Sequence, residues 1–299
     1  MSLLDGILSG DPAAVSRAIT IVESDPRGEA ARRILEVASA RGGKALVVGV
    51  TGPPGVGKST LIGRLCDEMA SRGRRVSVLA IDASSPFSGG AFLGNRIRME
   101  ESLHRHGVFM RSIAARGSTG GLGGSVWGAL RVLSAAGYER VIVETVGAGQ
   151  SDVDVMGIAD VILVVVAPGF GDLVQALKAG ILEIADAFVV NKADLPGAEE
   201  LARYLEEVSA GRPVLSVSAA SGDGVGRVVD YLEGTRGSRR RDERAAAAVR
   251  VAVEEILREE ANELMSTQRA REILGEVASG AVSPREAADR ILALRGREK

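Results

Sequence analysis

The chain has 299 residues, with 37 basic and 39 acidic side chains and a formal net charge of −2. That balance argues against a constitutive nucleic-acid or anionic-membrane binder, since both call for a basic surface. Hydrophobic residues make up 45% and aromatics only 3%, so the core must be large and aliphatic.

Cys66 is the single cysteine, so no intrachain disulfide can form, which fits a reducing cytosol. It sits in a helical run and reads as plain packing. No basic region followed by an apolar core opens the chain, so no signal peptide is expected. No apolar run approaches the ~20 residues that span a bilayer. A cytoplasmic protein is the expectation. The length allows one large domain with appendages, or two domains.

Residues 1–42 read as short helices. Asp11-Pro12 is an N-cap followed by a first-turn proline, with Val15, Ile19 and Val22 at helical spacing. Asp25-Pro26 breaks that run, and a second helix carries Ile34, Leu35 and Ala38 on one face. These helices read as a lid packed on the main domain.

Residues 43–236 alternate β-rich and helical runs. Strands are expected near Ala45–Val50, Arg75–Ile81, Val108–Ile113, Val141–Glu144, Val161–Val166, Ala187–Val190 and Val214–Val217. Several are unbroken Val/Ile/Leu runs, as strands buried on both faces are. The expectation is an α/β fold: a P-loop NTPase with a mostly parallel, doubly wound sheet. Its ligand would lie at the carboxyl ends of the strands. The polar motifs collect there: Asp82, Glu144-Thr-Val-Gly147, Asn191-Lys-Ala-Asp194 and Ser218-Ala-Ala220.

Gly237, Ser238 and the arginines from Arg239 to Arg241 form a polar linker. A long helix follows, about Asp242 to Met265, with Val249, Val253, Ile256, Leu257 and Leu264 on one stripe. Gln268–Ala278 reads helical, and Ser283-Pro-Arg-Glu286 caps a final helix. Residues 237–299 thus form a helical extension. Its stripes either pack on one another or pair with a second copy, which makes it a candidate dimerisation arm.

Gly52, four residues, then Gly57-Lys58-Ser59 is the phosphate-loop pattern, set between a strand and a helix as the pattern requires. Gly55, Val56, Gly57, Lys58, Ser59 and Thr60 are the expected phosphate-binding residues. Their backbone N–H groups and the helix N-terminus favour anionic oxygens. Lys58 would reach the β- and γ-phosphates, and Ser59 would place its hydroxyl on Mg²⁺.

Asn191, Lys192 and Asp194 point to guanine. An aspartate accepts from both N1–H and the exocyclic amine, a donor pair that adenine lacks. A site built to hydrogen-bond a specific group can reject an analogue lacking it by about 10⁴-fold. Lys192 would lay its stem along the base, and Ser218 and Ala219 would offer N–H groups to the guanine oxygen. The alternative is that Asn-Lys-x-Asp merely opens a loop.

Asp82 and Glu144 are the acids best placed to hold waters of a Mg²⁺ ion, which takes few protein ligands beside phosphate oxygens. The alternative for either is a strand-end cap. Gly147 would give its N–H to the γ-phosphate, and Gln150 is a candidate for orienting water. No arginine finger is assignable, so intrinsic turnover should be slow until a partner stabilises the transition state.

Longer stretches are more specific. Asp82–Met99, Arg116–Leu122, Glu144–Ser151 and Pro168–Asp172 through Asp194 closely resemble the MeaB/ArgK family, which includes the methylmalonic aciduria type A protein. The resemblance covers about Ala45 to Gly224. It implies a homodimeric GTPase using GTP/GDP and Mg²⁺. It further implies a chaperone that gates cofactor loading of an adenosylcobalamin-dependent acyl-CoA mutase, with Lys58, Ser59, Asp82, Glu144 and Asp194 in the roles above. The Pro168–Gly180 loop, with Gln175 and Lys178, resembles the family's additional switch. That loop, Ser84–Asn95 and Gly147–Asp154 would be the partner-reading elements. Ala83, Asn95 and Leu173 stand where the family commonly has proline, aspartate and glutamate. These departures suggest a specialised branch, with methylmalonyl-CoA mutase or a related mutase as the client.

Three other readings compete. A small-molecule kinase would need an acceptor pocket, and no independent constellation for one is visible. A partitioning-type ATPase would have lysine where Pro53 stands. A nickel metallochaperone would want a Cys/His-rich site, which His104 and His106 do not supply.

Overall fold

The computed structural model describes residues 2–41, 45–82, 107–114, 124–146, 158–169, 184–235 and 241–296. Two compact units divide the chain, Met1–Ala248 and Val249–Lys299.

The first unit is built on seven parallel strands: β1 (Leu46–Thr51), β2 (Val76–Asp82), β3 (Phe109–Ala114), β4 (Arg140–Val146), β5 (Val161–Val166), β6 (Ala187–Val190) and β7 (Val214–Ser216). Their order is β3-β2-β4-β1-β5-β6-β7. All seven expected strands are present, displaced by no more than a residue or two at their ends.

The Val/Ile runs are explained by two cores on opposite faces of the sheet. Val47, Val141, Val143, Ile162, Val164 and Phe188 enter one core. Their strand neighbours Val48, Ile142, Leu163, Val165 and Val189 enter the other. Because side chains alternate faces along a strand, burial of both faces removes any polar alternation.

The helices of the first unit are α1 (Leu3–Ser9), α2 (Pro12–Ser24), α3 (Glu29–Arg41), α4 (Lys58–Ser71), α5 (Gly124–Ala135), α6 (Ala198–Val208) and α7 (Val225–Gly234). Helices α4 and α7 cover one face. The first three helices share a core with α5, α6 and the other face of the sheet. Residues read as a lid are therefore a layer of that core, with Ile7, Val15, Ile19, Val22 and Ile34 buried in it.

Local signals fixed these helices well. Asp11 caps α2 by accepting from the Ala14 N–H at 2.9 Å, with Pro12 in the first turn. Helix α1 carries a capping box that the pattern alone left unresolved. Ser2 Oγ accepts from the Asp5 N–H, and the Asp5 carboxylate accepts from the Ser2 N–H at 3.0 Å. Gly128 of α5 lets α2 approach closely: a Cβ there would lie 2.3 Å from Val22 Cγ1.

Helix α8 (Arg241–Ser266) crosses the division between the units. Within the second unit, α9 (Gln268–Ala278) and α10 (Pro284–Leu292) pack through Ala270, Ile273, Ala287 and Ile291. Arg290 forks onto the Glu276 carboxylate at 2.6 and 3.0 Å. Ser283 caps α10 as expected, accepting from the Glu286 N–H at 3.2 Å. The α8 stripe residues Val249, Val253, Ile256 and Leu257 are exposed.

Candidate nucleotide site

The carboxyl edge of the sheet brings the motifs together. The β1 strand ends at Thr51, and the loop to α4 begins at Gly52, whose φ is +140°. A Cβ at Gly52 would stand 2.0 Å from the carbonyl oxygen of Val165 on β5. Only glycine allows that approach of backbone to backbone. Gly57 caps α4 at φ +90°, and a Cβ there would meet the Asn191 amide nitrogen at 2.5 Å.

Within the loop, Val56 is anchored in the core while Gly55 and Thr60 are exposed. Lys58 Nζ donates to the carbonyls of Gly52 at 2.7 Å and Pro53 at 3.0 Å. Its ammonium is thus held over its own loop at the N-terminus of α4. That is where a helix end and a cation together favour phosphate.

Ser59 and Glu144 meet across the sheet edge. Ser59 Oγ donates to Glu144 Oε1 at 2.7 Å. Glu144 is only 6% exposed. Burial pushes its carboxyl above the usual range, against the Ser59 hydrogen bond and the nearby Lys58 charge. A hydroxyl and a carboxylate side by side are the hard oxygen donors that Mg²⁺ takes, so the residues fit that ion. Among the described residues, no cluster of three His, Cys, Asp or Glu could hold a metal without a ligand's help. Asp82 ends β2, with its backbone in register with Val146 and Ala114.

Asn191 closes the site from the β6 side. It is 2% exposed and spends both ends of its amide on other loops. Nδ2 donates to the Val56 carbonyl at 2.8 Å, and Oδ1 accepts from the Ala219 N–H at 3.0 Å. Lys192, at φ +57°, donates to the Gly55 carbonyl at 3.0 Å. Its stem therefore lies along the phosphate loop. Asp194 is exposed, and a hydrogen bond from Ser218 holds its carboxyl below the usual range. Asp194, Ser218, Ala193 and Val217 line an open pocket with Asp223 and Arg227.

The two N–H groups expected to meet a guanine oxygen already have acceptors. Ser218 donates to the Asp223 carbonyl at 2.9 Å, and Ala219 donates to Asn191. A base must displace one of these acceptors or use the next N–H, that of Ala220. Pattern reading also missed Arg64 of α4. Its Nε donates to the Ala219 carbonyl at 3.1 Å and its Nη2 to the Ala220 carbonyl at 2.7 Å.

Several expected residues lie outside the described part: Ala83, Asn95, His104, His106, Gly147, Gln150, Leu173, Gln175 and Lys178. The Ser84–Asn95, Arg116–Leu122 and Gly147–Asp154 stretches also lie there, as does all of the Pro168–Gly180 loop after Gly169. Cys66 is buried on α4, and burial pushes its thiol far up, as packing alone predicts.

Residues 15–272 match the family described as "Methylmalonyl Co-A mutase-associated GTPase MeaB". The chain belongs to the MeaB family. A Pyrococcus abyssi protein named as a GTPase is 40% identical over 309 residues, covering 97% of this chain and 95% of that one. GTPase ArgK of Escherichia coli is 38% identical over 187 residues, 62% of this chain and 56% of the relative. The mouse "Methylmalonic aciduria type A homolog, mitochondrial" is 34% identical over 254 residues, 77% and 61% of the two chains. Among solved structures, one titled "LAO/AO transport system kinase" superposes with a TM-score of 0.66 at 24% identity, covering 98% of this chain and 96% of that chain. That likeness speaks to the fold. As a MeaB-family protein, this chain is a P-loop GTPase.

Proposed function

We propose that this GTPase is a chaperone that gates cofactor loading and protection of an adenosylcobalamin-dependent acyl-CoA mutase. The family's association with methylmalonyl-CoA mutase supports the partner class. The single observation that carries the nucleotide chemistry is the Lys58–Ser59–Glu144 cluster at the N-terminus of α4.

In this reading the phosphate loop takes the nucleotide's phosphates on its N–H groups. Lys58 leaves the carbonyls of Gly52 and Pro53 for the β- and γ-phosphates. Ser59, Glu144 and Asp82 are the side chains that would hold a Mg²⁺ ion beside the phosphates, the Ser59 hydroxyl being released from Glu144 for that role. Bound Mg²⁺ supplies charge neutralisation on the phosphate oxygens. Water attacks the γ-phosphorus, the bond to the β-phosphate oxygen breaks, and GDP and phosphate leave. Gly147 contributes an N–H to the γ-phosphate. Asp194 reads the guanine edge, Lys192 lies along the base, and Asn191 braces the loops around it.

The exposed apolar stripe of α8 supports a homodimer built on the extension after residue 236. Among the described residues no helix is long and apolar enough to cross a membrane. The proposal sets the work of this protein in the cytoplasm, beside its mutase.

The test is GTP hydrolysis, with ATP as control, alone and with candidate cobalamin-dependent mutases. GTP-selective turnover that rises with one mutase supports the chaperone and names its client. Turnover indifferent to every mutase but dependent on a small-molecule acceptor would make the protein a kinase and overturn the proposal.

A further inference from the structure

Arg64 belongs to α4, the helix that begins at the phosphate loop, yet both of its bonds reach the loop after β7. Its neighbours on α4, Leu61, Ile62, Leu65 and Cys66, are buried in the core under that helix. Arg64 itself is on the exposed face. A helix surface residue there has no packing duty, so its contacts must be explained by what they hold. The fork grips two successive carbonyls, Ala219 at 3.1 Å and Ala220 at 2.7 Å.

The consequence follows from peptide geometry. In a trans peptide the carbonyl and the N–H of one plane point in opposite directions. There are no cis bonds among the described residues. Turning the Ala219 carbonyl toward α4 therefore turns the Ala220 N–H away from α4. Among the described residues that N–H has no partner. The preceding two N–H groups are consumed by Asp223 and Asn191. The same loop is tied back to the phosphate loop through Asn191, whose Nδ2 holds the Val56 carbonyl. Val56, Asn191, Ala219 and Arg64 thus form one hydrogen-bonded circuit around the space between the phosphate loop and the base loop.

We propose that Arg64 is a positioning residue for base discrimination. It fixes the peptide plane between Ala219 and Ala220 so that the Ala220 N–H is presented to the guanine oxygen. Adenine carries an amine at that place, which cannot accept from an N–H. This proposal rests on the reading of Asn191–Asp194 and Ser218–Ala220 as the base site. It adds a residue from the phosphate side of the nucleotide that no pattern of base recognition contains.

The experiment measures equilibrium binding of GTP, ATP and inorganic tripolyphosphate, each with Mg²⁺, to the full-length protein and to R64A and R64K. Arg64 is exposed, so both variants should fold, which a thermal melt checks. Loss of one well-placed hydrogen bond to the base predicts that the GTP-over-ATP ratio of R64A falls by about tenfold. Tripolyphosphate, which has no base, should bind R64A as it binds the natural protein. R64K keeps the charge but not the fork and should recover only part of the ratio. An unchanged GTP-over-ATP ratio in R64A overturns the proposal, and so does an equal loss for tripolyphosphate, which would mean general damage to the phosphate loop. Full discrimination in R64K would show that charge suffices and would overturn the two-carbonyl grip. If the natural protein itself fails to prefer GTP, the base reading falls first and the role of Arg64 with it.

Discussion

Replacing Asn191 by alanine tests whether one buried amide holds the nucleotide site together. Asn191 is 2% exposed and joins loops far apart in sequence, at Val56 and Ala219. The alanine variant removes two hydrogen bonds of 2.8 and 3.0 Å and leaves the Val56 carbonyl and the Ala219 N–H without those partners. An orphaned buried polar group costs about 1–3 kcal/mol. Two give a range of about 2–6 kcal/mol, and the site's opening to solvent lets water satisfy part of it. The expected loss is therefore about 2–4 kcal/mol. Urea denaturation of the nucleotide-free protein, followed by far-ultraviolet circular dichroism, measures it. The midpoint should fall with little change in slope. GTP affinity should fall as well, because both the phosphate loop and the base loop lose a support. N191D is the companion variant: it keeps the shape but sets a carboxylate against the Val56 carbonyl, and should be no more stable than N191A. A loss under about 0.5 kcal/mol in N191A, the range of an unimportant surface change, would refute the reasoning.

Glu144→Gln keeps an acceptor for Ser59 while removing a buried charge. The folded carboxyl sits above its ordinary value of 4.5 because of burial. As pH rises from there through the raised folded value, the unfolded chain loses its proton first, so ionisation of Glu144 costs stability across that window. The nucleotide-free E144Q protein should therefore gain on the natural one over that window and differ little below it, while its Mg²⁺-dependent hydrolysis falls at least about tenfold. Thermal melts against pH and a phosphate-release assay read the two effects, and equal melts at every pH would remove the burial argument. Asp194→Asn should weaken GTP binding and relax discrimination against xanthosine nucleotides; unchanged guanine preference would take Asp194 out of base recognition. Gly128→Ala should cost about 1–3 kcal/mol by overpacking α5 against Val22. Adding V22A should recover part of that loss, so that the double variant is more stable than the two single losses summed; strict additivity would mean that the two helices separate freely.

Much of this protein is written locally. The seven strands could be read because each is a short Val/Ile/Leu run bounded by breakers, and burial on both faces leaves no other pattern. The phosphate loop could be read because its chemistry needs contiguous residues: glycines for the curl, a lysine for the charge, a serine for the metal. The helix starts at Asp11 and Ser283 follow from neighbours three residues away. Family membership was legible for the same reason, since long contiguous motifs carry it.

Other features were decided by the order of the strands. Placing β1 between β4 and β5 sets Glu144 against Ser59 and the Val165 carbonyl against Gly52. The Asn191 brace joins positions 135 and 28 residues apart, and the Arg64 fork reaches across 155 and 156. No periodicity encodes such pairs, because each partner's own neighbourhood is satisfied without it. The helices of residues 3–41 were legible as helices, but the sheet face that they cover was not. An apolar stripe says that something must bury it, and only the packed structure says what.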